Sequence, residues 1–167
     1  MPDLMPAEPV PFAIRPARPE DAAFIFGSWL ENFWRESPWA ARLTARTFFG
    51  PPPPAPPGGH RAVVVAVLAR ARVLVACDLA DPDEIVGYFV FEPGVAHWLY
   101  VKKALRGFGV ARALLAASDL PTDLAGVRIT HPTRSWLTTR AHGPGLEAKY
   151  PLAVNDPYPA LNPGATT

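Results

Sequence analysis

The chain has 167 residues, is 49% hydrophobic and carries a formal net charge of +1. That composition fits one domain with a sizeable core and excludes a charge-rich disordered chain. The 22 prolines and 12 glycines are numerous for such a domain.

Position explains the prolines. They crowd the N-terminal segment, the tract Pro51–Pro57 and the tail after Pro144, and between Gly58 and His131 only Pro82, Pro93 and Pro121 occur. The single cysteine, Cys77, excludes an intrachain disulfide framework and a cysteine-based zinc finger, and fits a reducing, cytoplasmic compartment. Asp3 and Glu8 with no apolar h-region argue against a secretory signal. The apolar stretch Val63–Ala76 is broken by Arg70 and Arg72 and is too short to span a bilayer.

In chain order, Phe12–Arg15 reads as a short strand. Pro19-Glu20-Asp21 then opens a helix, since proline suits the first helical position and the acids complement the dipole. Phe24, Ile25, Trp29, Leu30 and Phe33 recur near the helical period. A second helical piece is expected over Ala40–Phe48. The tract Pro51–Pro57 followed by Gly58-Gly59 reads as a stiff polyproline II spacer or simply a loop. His60–Ala71 fits either state: its valines favour a strand and its length a helix, which is the expectation here. Val73–Leu79, Ile85–Phe91 and Val95–Val101 are strand-like runs joined by turns at Asp81-Pro82-Asp83 and Pro93-Gly94, hence an antiparallel meander. Val110–Ser118 is a strong helix and Gly126–Thr130 a further strand, giving an α/β or α+β arrangement around one sheet.

The chemistry concentrates in Leu99-Tyr100-Val101-Lys102-Lys103-Ala104-Leu105-Arg106-Gly107-Phe108-Gly109-Val110-Ala111. Two glycines one residue apart, between a strand and a helix, let several backbone N–H groups converge at a helix N-terminus, where they attract an anion. Arg106, Lys102 and Lys103 supply positive charge beside it. A Walker A loop would need Gly-Lys-Ser/Thr, and a Rossmann fingerprint a glycine where Arg112 stands.

The remaining pattern, Arg106-Gly107-Phe108-Gly109 after a strand and before small apolar residues, resembles the pyrophosphate loop of the GNAT superfamily of N-acetyltransferases. Phe12–Asp21 is similar to the first strand and helix of that family, and Leu114 and Leu115 to the apolar face of its acetyl-CoA helix. The resemblance runs from Phe12 to about Thr130. The stretch Val73–Leu115 also looks like small GNAT-like proteins encoded by tailed bacteriophages.

The resemblance implies a mostly antiparallel central sheet flanked by helices, with a V-shaped splay between two central strands. It implies an acyl-CoA co-substrate whose pantetheine arm lies in that splay, beside the backbone of Leu99 and Val101. Arg106, Gly107, Phe108, Gly109, Val110 and Ala111 would hold its pyrophosphate. An amine would attack the thioester directly, which needs a base, a polarising N–H and an acid. Glu92 is a candidate base or else a solvated turn residue. His97 is a candidate acting through water or else a hydrogen-bonded sheet residue; strand alternation puts it on the face of Leu99 and Val101. The family's fourth-helix tyrosine is missing from Thr133–Ala141, leaving Tyr150, then Tyr158, as stand-ins for the acid. Trp29, Phe33, Trp34 and Trp39 either hold a planar acceptor or pack a core, the commoner role. His60, His131 and His142 lack metal-ligand spacing, so no metal is expected.

The implied function is acyl transfer from acyl-CoA to an amine of a small molecule or protein. The alternatives are a catalytically degenerate GNAT-fold binding module, and a nucleic-acid modifier using Arg42, Arg46, Arg61, Arg134 and Arg140, which the balanced charge disfavours. The expected organisation is an extended or disordered segment 1–11, a domain over 12–150 and a proline-rich tail over 151–167.

Overall fold

The computed structural model describes residues 12–37, 40–51, 55, 58–131 and 133. The terminal segment 1–11, the helix expected at Thr133–Ala141 (apart from Thr133 itself), Tyr150, Tyr158 and the tail 151–167 lie outside the described residues.

Among the described residues five strands form one sheet in chain order: β1 (Phe12–Pro16), β2 (Arg72–Asp78), β3 (Ile85–Glu92), β4 (Val95–Val101) and β5 (Arg128–Ile129). The first four pair antiparallel, and β5 joins β4 in parallel. The described helices that flank them are α1 (Ala22–Glu36), α2 (Ala45–Phe49), α3 (Gly59–Leu68) and α4 (Val110–Ala117). β3 is buried on both faces, as expected of a strand with helices on either side. Tyr88 and Val90 point into one core with Trp29, Phe33, Phe48 and Val64, while Phe89 and Phe91 meet Val110 and Leu114 of α4 in the other.

Local chemistry sets the element ends. A 3-10 turn at Pro19–Asp21 leads into α1. Asp21 does more there than complement a dipole: its carboxylate accepts the Arg18 N–H (2.7 Å) and both Arg15 guanidinium nitrogens (2.6 and 3.0 Å). The single helix expected over Ala40–Phe48 is split into a 3-10 turn at Ala40–Arg42 and α2. Thr44 is the reason, because it is extended and its Oγ1 accepts the Thr47 N–H, so it caps a new helix rather than continuing the old one. The ambiguous valine-rich run is helix α3, whose buried residues His60, Val64 and Val67 follow helical spacing.

The two flanks of the proline tract lie close together. A Cβ built on Gly50 would stand 2.6 Å from the Gly58 carbonyl carbon, so the flanks of the tract touch. The tract therefore joins two neighbouring helices. Trp29 and Phe33 are fully buried, and Trp34 packs on Phe48 and Phe49, so these aromatics build core; Trp39 lies outside the described residues. Cys77 is buried in the same core.

Candidate functional site

Among the described residues, strand β4 has one fully paired edge and one edge paired only at its start. Lys102 donates its N–H to the Val86 carbonyl, which fixes the phase of the β3–β4 ladder. In an antiparallel pair alternate residues turn both backbone groups to the same edge. Tyr100 and Trp98 therefore face β3 with Lys102, and Val101 and Leu99 turn their N–H and C=O groups away from it. On that far side β5 covers only the start of β4, pairing Val95 with Arg128 and Ala96 with Ile129. Thr130 N–H adds one bond to the Ala96 carbonyl at 3.2 Å, and β5 ends there. Among the described residues the pairing of β4 on that side ends at Ala96, and the backbone of Leu99 and Val101 has no strand beside it.

The loop after β4 leads from that edge to the start of α4. Gly107 and Gly109 have φ of +89° and +84°, the left-handed region that glycine enters without steric cost. Nothing lies within 4 Å of a Cβ built on either, so conformation rather than crowding calls for glycine. The first helical bond of α4 runs from Ala113 N–H to the Gly109 carbonyl, leaving the N–H groups of Val110, Ala111 and Arg112 directed at the loop. Among the described residues, the N–H groups of Gly107, Phe108 and Gly109 have no backbone acceptor either. Arg106 Nε donates to the Val101 carbonyl at 3.2 Å, so its side chain lies back along the strand end. The Val110 side chain is buried in the core, and only its N–H faces the loop.

Two expectations for the charges change. Lys102 is committed elsewhere, bonded to Glu84 and set over the Phe24 ring. Arg112, whose side chain only excluded a dinucleotide fingerprint in the sequence, lines the recess at the loop.

Three hollows follow the open edge. One of ≈ 370 Å³ lies at the loop between Val101, Arg106, Gly109 and Arg112. A second, ≈ 250 Å³, shares Val101, Arg106 and Ala111 with it and is walled on the other side by Asn32 and Glu36 of α1. A third, ≈ 120 Å³, shares Trp98, Leu99 and Thr133 with the second and ends in the splay at His97, Ile129 and His131. The sequence motif does not mark Asn32, Glu36, Arg112 or Thr133 as lining residues. Helical spacing does place Asn32 and Glu36 four apart on one face of α1, which is the signal available for them.

His97 sits at a β-bulge. Trp98 pairs with Val90 and Ala96 with Phe91, so β4 carries one extra residue there, which is His97. The strict alternation that put His97 on the face of Leu99 and Val101 is broken at this point. Leu99 is exposed and His97 is buried, and the two expected bases are bonded to each other, with His97 Nε2 2.7 Å from Glu92 Oε2. Arg70 Nε also donates to both Glu92 oxygens (3.1 and 3.2 Å). The His97 bond and Arg70 hold the Glu92 carboxyl below its ordinary range. Burial pushes His97 down, against the opposing pull of Glu92. His97 Nδ1 meets Thr130 Oγ1 at 2.9 Å, and the same oxygen meets His131 Nδ1 at 2.6 Å.

Among the described residues no group of three His, Cys, Asp or Glu side chains could hold a metal ion, and no helix is long and apolar enough to cross a membrane. Of the arginines considered for nucleic acid, Arg42 and Arg46 are exposed, Arg61 donates to the Pro51 carbonyl (2.8 Å), and Arg134 and Arg140 lie outside the described residues.

Comparison with protein-family models and with the curated proteins finds no match. Among solved structures, the apo form of YjaB from Escherichia coli is similar at 22% identity and TM-score 0.42, over 64% of this chain and 63% of that one. A GCN5-related N-acetyltransferase from Rhodopseudomonas palustris matches at 25% identity and TM-score 0.42, over 63% and 61%. YncA of Salmonella typhimurium, a putative acetyltransferase solved with acetyl-CoA, matches at 20% and 0.39, over 64% and 60%. This chain spans about three fifths of the length of each of these three. Likenesses this partial carry no functional argument, so the site must supply it.

Proposed function

We propose that the chain is a GNAT-type acyltransferase, moving an acetyl or other short acyl group from acyl-CoA to an amine by direct attack. The observation that carries this reading is the run of backbone groups without a partner among the described residues, from Leu99 and Val101 on the open edge of β4 to the N–H groups at the start of α4. An extended arm with two amides, such as pantetheine, suits the first as an added strand, and a pyrophosphate suits the second. Arg106 would release the Val101 carbonyl and turn its guanidinium to the phosphates, with Arg112 opposite it.

Acyl transfer then asks three things of the chain. A backbone N–H of the open edge polarises the thioester carbonyl as its oxygen gains charge. The recess walled by Asn32 and Glu36 admits the amine, whose cationic form the Glu36 carboxylate attracts. The proton lost on attack goes to the splay, where His97 and Glu92 lie. Tyr150, outside the described residues, is the proposed acid for the thiolate. The acceptor is proposed as a small-molecule or protein amine.

A thermal melt tests the binding half. Acetyl-CoA at a hundred times its Kd is expected to stabilise the protein by about 2.7 kcal/mol, a rise of roughly 5–10 °C for a chain of this size. Gly109→Val, which puts a β-branched residue at positive φ, is expected to abolish the rise. Absence of any rise for the unmodified chain at millimolar acetyl-CoA would sink the proposal. A rise without thiol release across a broad panel of amines would instead assign a binding module.

A further inference from the structure

A buried imidazole beside the site has no role in this reading. His131, 4% exposed, has Nδ1 bonded to Thr130, while its Nε2 has no hydrogen-bond partner among the described residues. Its ring lies 5.0 Å from Trp29 and 4.9 Å from Phe33, and the residue lines the cavity in the splay. A buried imidazole nitrogen left unpaired is costly, and such a group at the end of a hydrogen-bonded chain points to a ligand or a transferred proton.

The proton positions in that chain follow from its outer end. Glu92, beside Arg70, is ionised and only accepts, so His97 Nε2 carries a hydrogen and donates it. Neutral His97 then presents a bare Nδ1, so the Thr130 hydroxyl must donate to it. A hydroxyl has one hydrogen, and therefore the Thr130–His131 contact is donated by His131 Nδ1–H. Neutral His131 is left with a bare, basic Nε2. One carboxylate thus sets two tautomers and a hydroxyl. Both nitrogens of His97 are engaged, so it can pass a proton on but cannot take one directly from a substrate.

We propose that His131 Nε2 is the group that accepts the proton of the attacking amine, and that Thr130 and His97 relay it to Glu92. The inference rests on the acyltransferase reading and extends it to two residues, Thr130 and His131, that the reading does not use. As the amine nitrogen bonds to the thioester carbon, its N–H proton passes to His131 Nε2. His131 Nδ1–H goes to Thr130 Oγ1, the original hydroxyl proton to His97 Nδ1, and His97 Nε2–H to Glu92 Oε2. One proton enters and one leaves, and each intermediate group ends neutral. Glu92, 25% exposed, returns the proton to water. The chain lets a buried base discharge outward without a water channel: burial disfavours a charged His131, so it takes a proton on Nε2 only as it hands its Nδ1 proton to Thr130. The titratable and charged groups around it are His97, with Glu92 and Arg70 at the outer end, and neutral His60, whose ring is 5.0 Å from that of His131.

The test combines a spectroscopic and a kinetic arm on the full chain. Nitrogen-15 spectra of the histidine-labelled protein at pH 7 are expected to show His97 protonated on Nε2 and His131 on Nδ1. A His131 protonated on Nε2, or on both nitrogens, would overturn the proposal. Thr130→Val keeps the shape of the side chain and removes the hydroxyl. It is expected to lower kcat about a hundredfold, the usual scale of a proton-transfer contribution, with the KM for acetyl-CoA within about twofold. Thr130→Ser should restore kcat to within a few-fold. Equal kcat for the valine and serine variants would also overturn it. Acetyl-CoA-dependent melts of the same variants separate the two failures: binding with no effect of Thr130 refutes the relay, whereas no binding in any of them, the unmodified chain included, refutes the acyltransferase reading.

Discussion

Lowering the pH from 7.5 to 5 is expected to remove at least about 2 kcal/mol of stability, well before most carboxylates protonate. The cause is the set of histidines buried neutral between α1, α3 and the β4–β5 splay. Burial takes His60 down to about 3 from its ordinary 6.5, and pushes His97 and His131 down as well. A histidine whose folded pKa lies below its unfolded one binds more protons unfolded. Its contribution is therefore complete above pH 6.5 and is lost as the pH falls toward the folded value. For His60 the loss at pH 5 is about 2 kcal/mol, and the other two act in the same direction. Replacing solvation is a stack of rings: His60 lies 4.7 Å from Phe33 and 5.0 Å from Phe48, almost parallel to both. Urea unfolding at the two pH values measures the effect. A midpoint unchanged between them would mean that these histidines are charged or solvated in the folded chain.

Asp21→Ala is expected to cost about 3–5 kcal/mol, the scale for removing one partner of a buried ion pair. Asp21 is 6% exposed and receives the Arg15 fork and the Arg18 N–H together, so its loss leaves a guanidinium and an amide unpaired at once. Arg15 also donates to the Pro82 carbonyl (3.1 Å), so the pair ties β1 and the start of α1 to the turn after β2. The double substitution Arg15→Met with Asp21→Leu should recover much of the loss, because two matched apolar groups carry no buried charge. Urea melts of the two single variants and the double give the coupling. A cost below about 1 kcal/mol for Asp21→Ala would show that water already reaches the pair. The Arg15 bonds hold the Asp21 carboxyl below its ordinary range despite its burial, so this contribution persists at pH 5 and is lost only at still lower pH.

The sequence made the strand order legible because period-two runs and turn residues are local signals, and β2, β3 and β4 follow them closely. Gly107 and Gly109 were legible for a similar reason, since glycine stands out where φ must be positive. The bulge at His97 was not, because an extra residue in a ladder is decided by the partner strand and leaves no pattern of its own. With it went the face of His97 and its bond to Glu92, five residues away in sequence and adjacent in space. Thr44 carried a readable signal for the split helix, a cap residue ahead of Ala45, which a count of apolar residues overlooks. His131 was weighed only as a metal ligand; its partners Thr130 and His97 come together only when β5 runs beside β4.

The central claim is that the open edge of β4 and the start of α4 together receive an acyl-CoA. Amide hydrogen exchange followed by NMR, with and without saturating CoA, tests it most directly. Slowed exchange and shifted resonances are expected at the N–H groups of Leu99 and Val101 and from Gly107 to Arg112, with Tyr100 and Trp98, already facing β3, unchanged. CoA that left Leu99 and Val101 exchanging as before, or that protected a different face of the sheet, would contradict it.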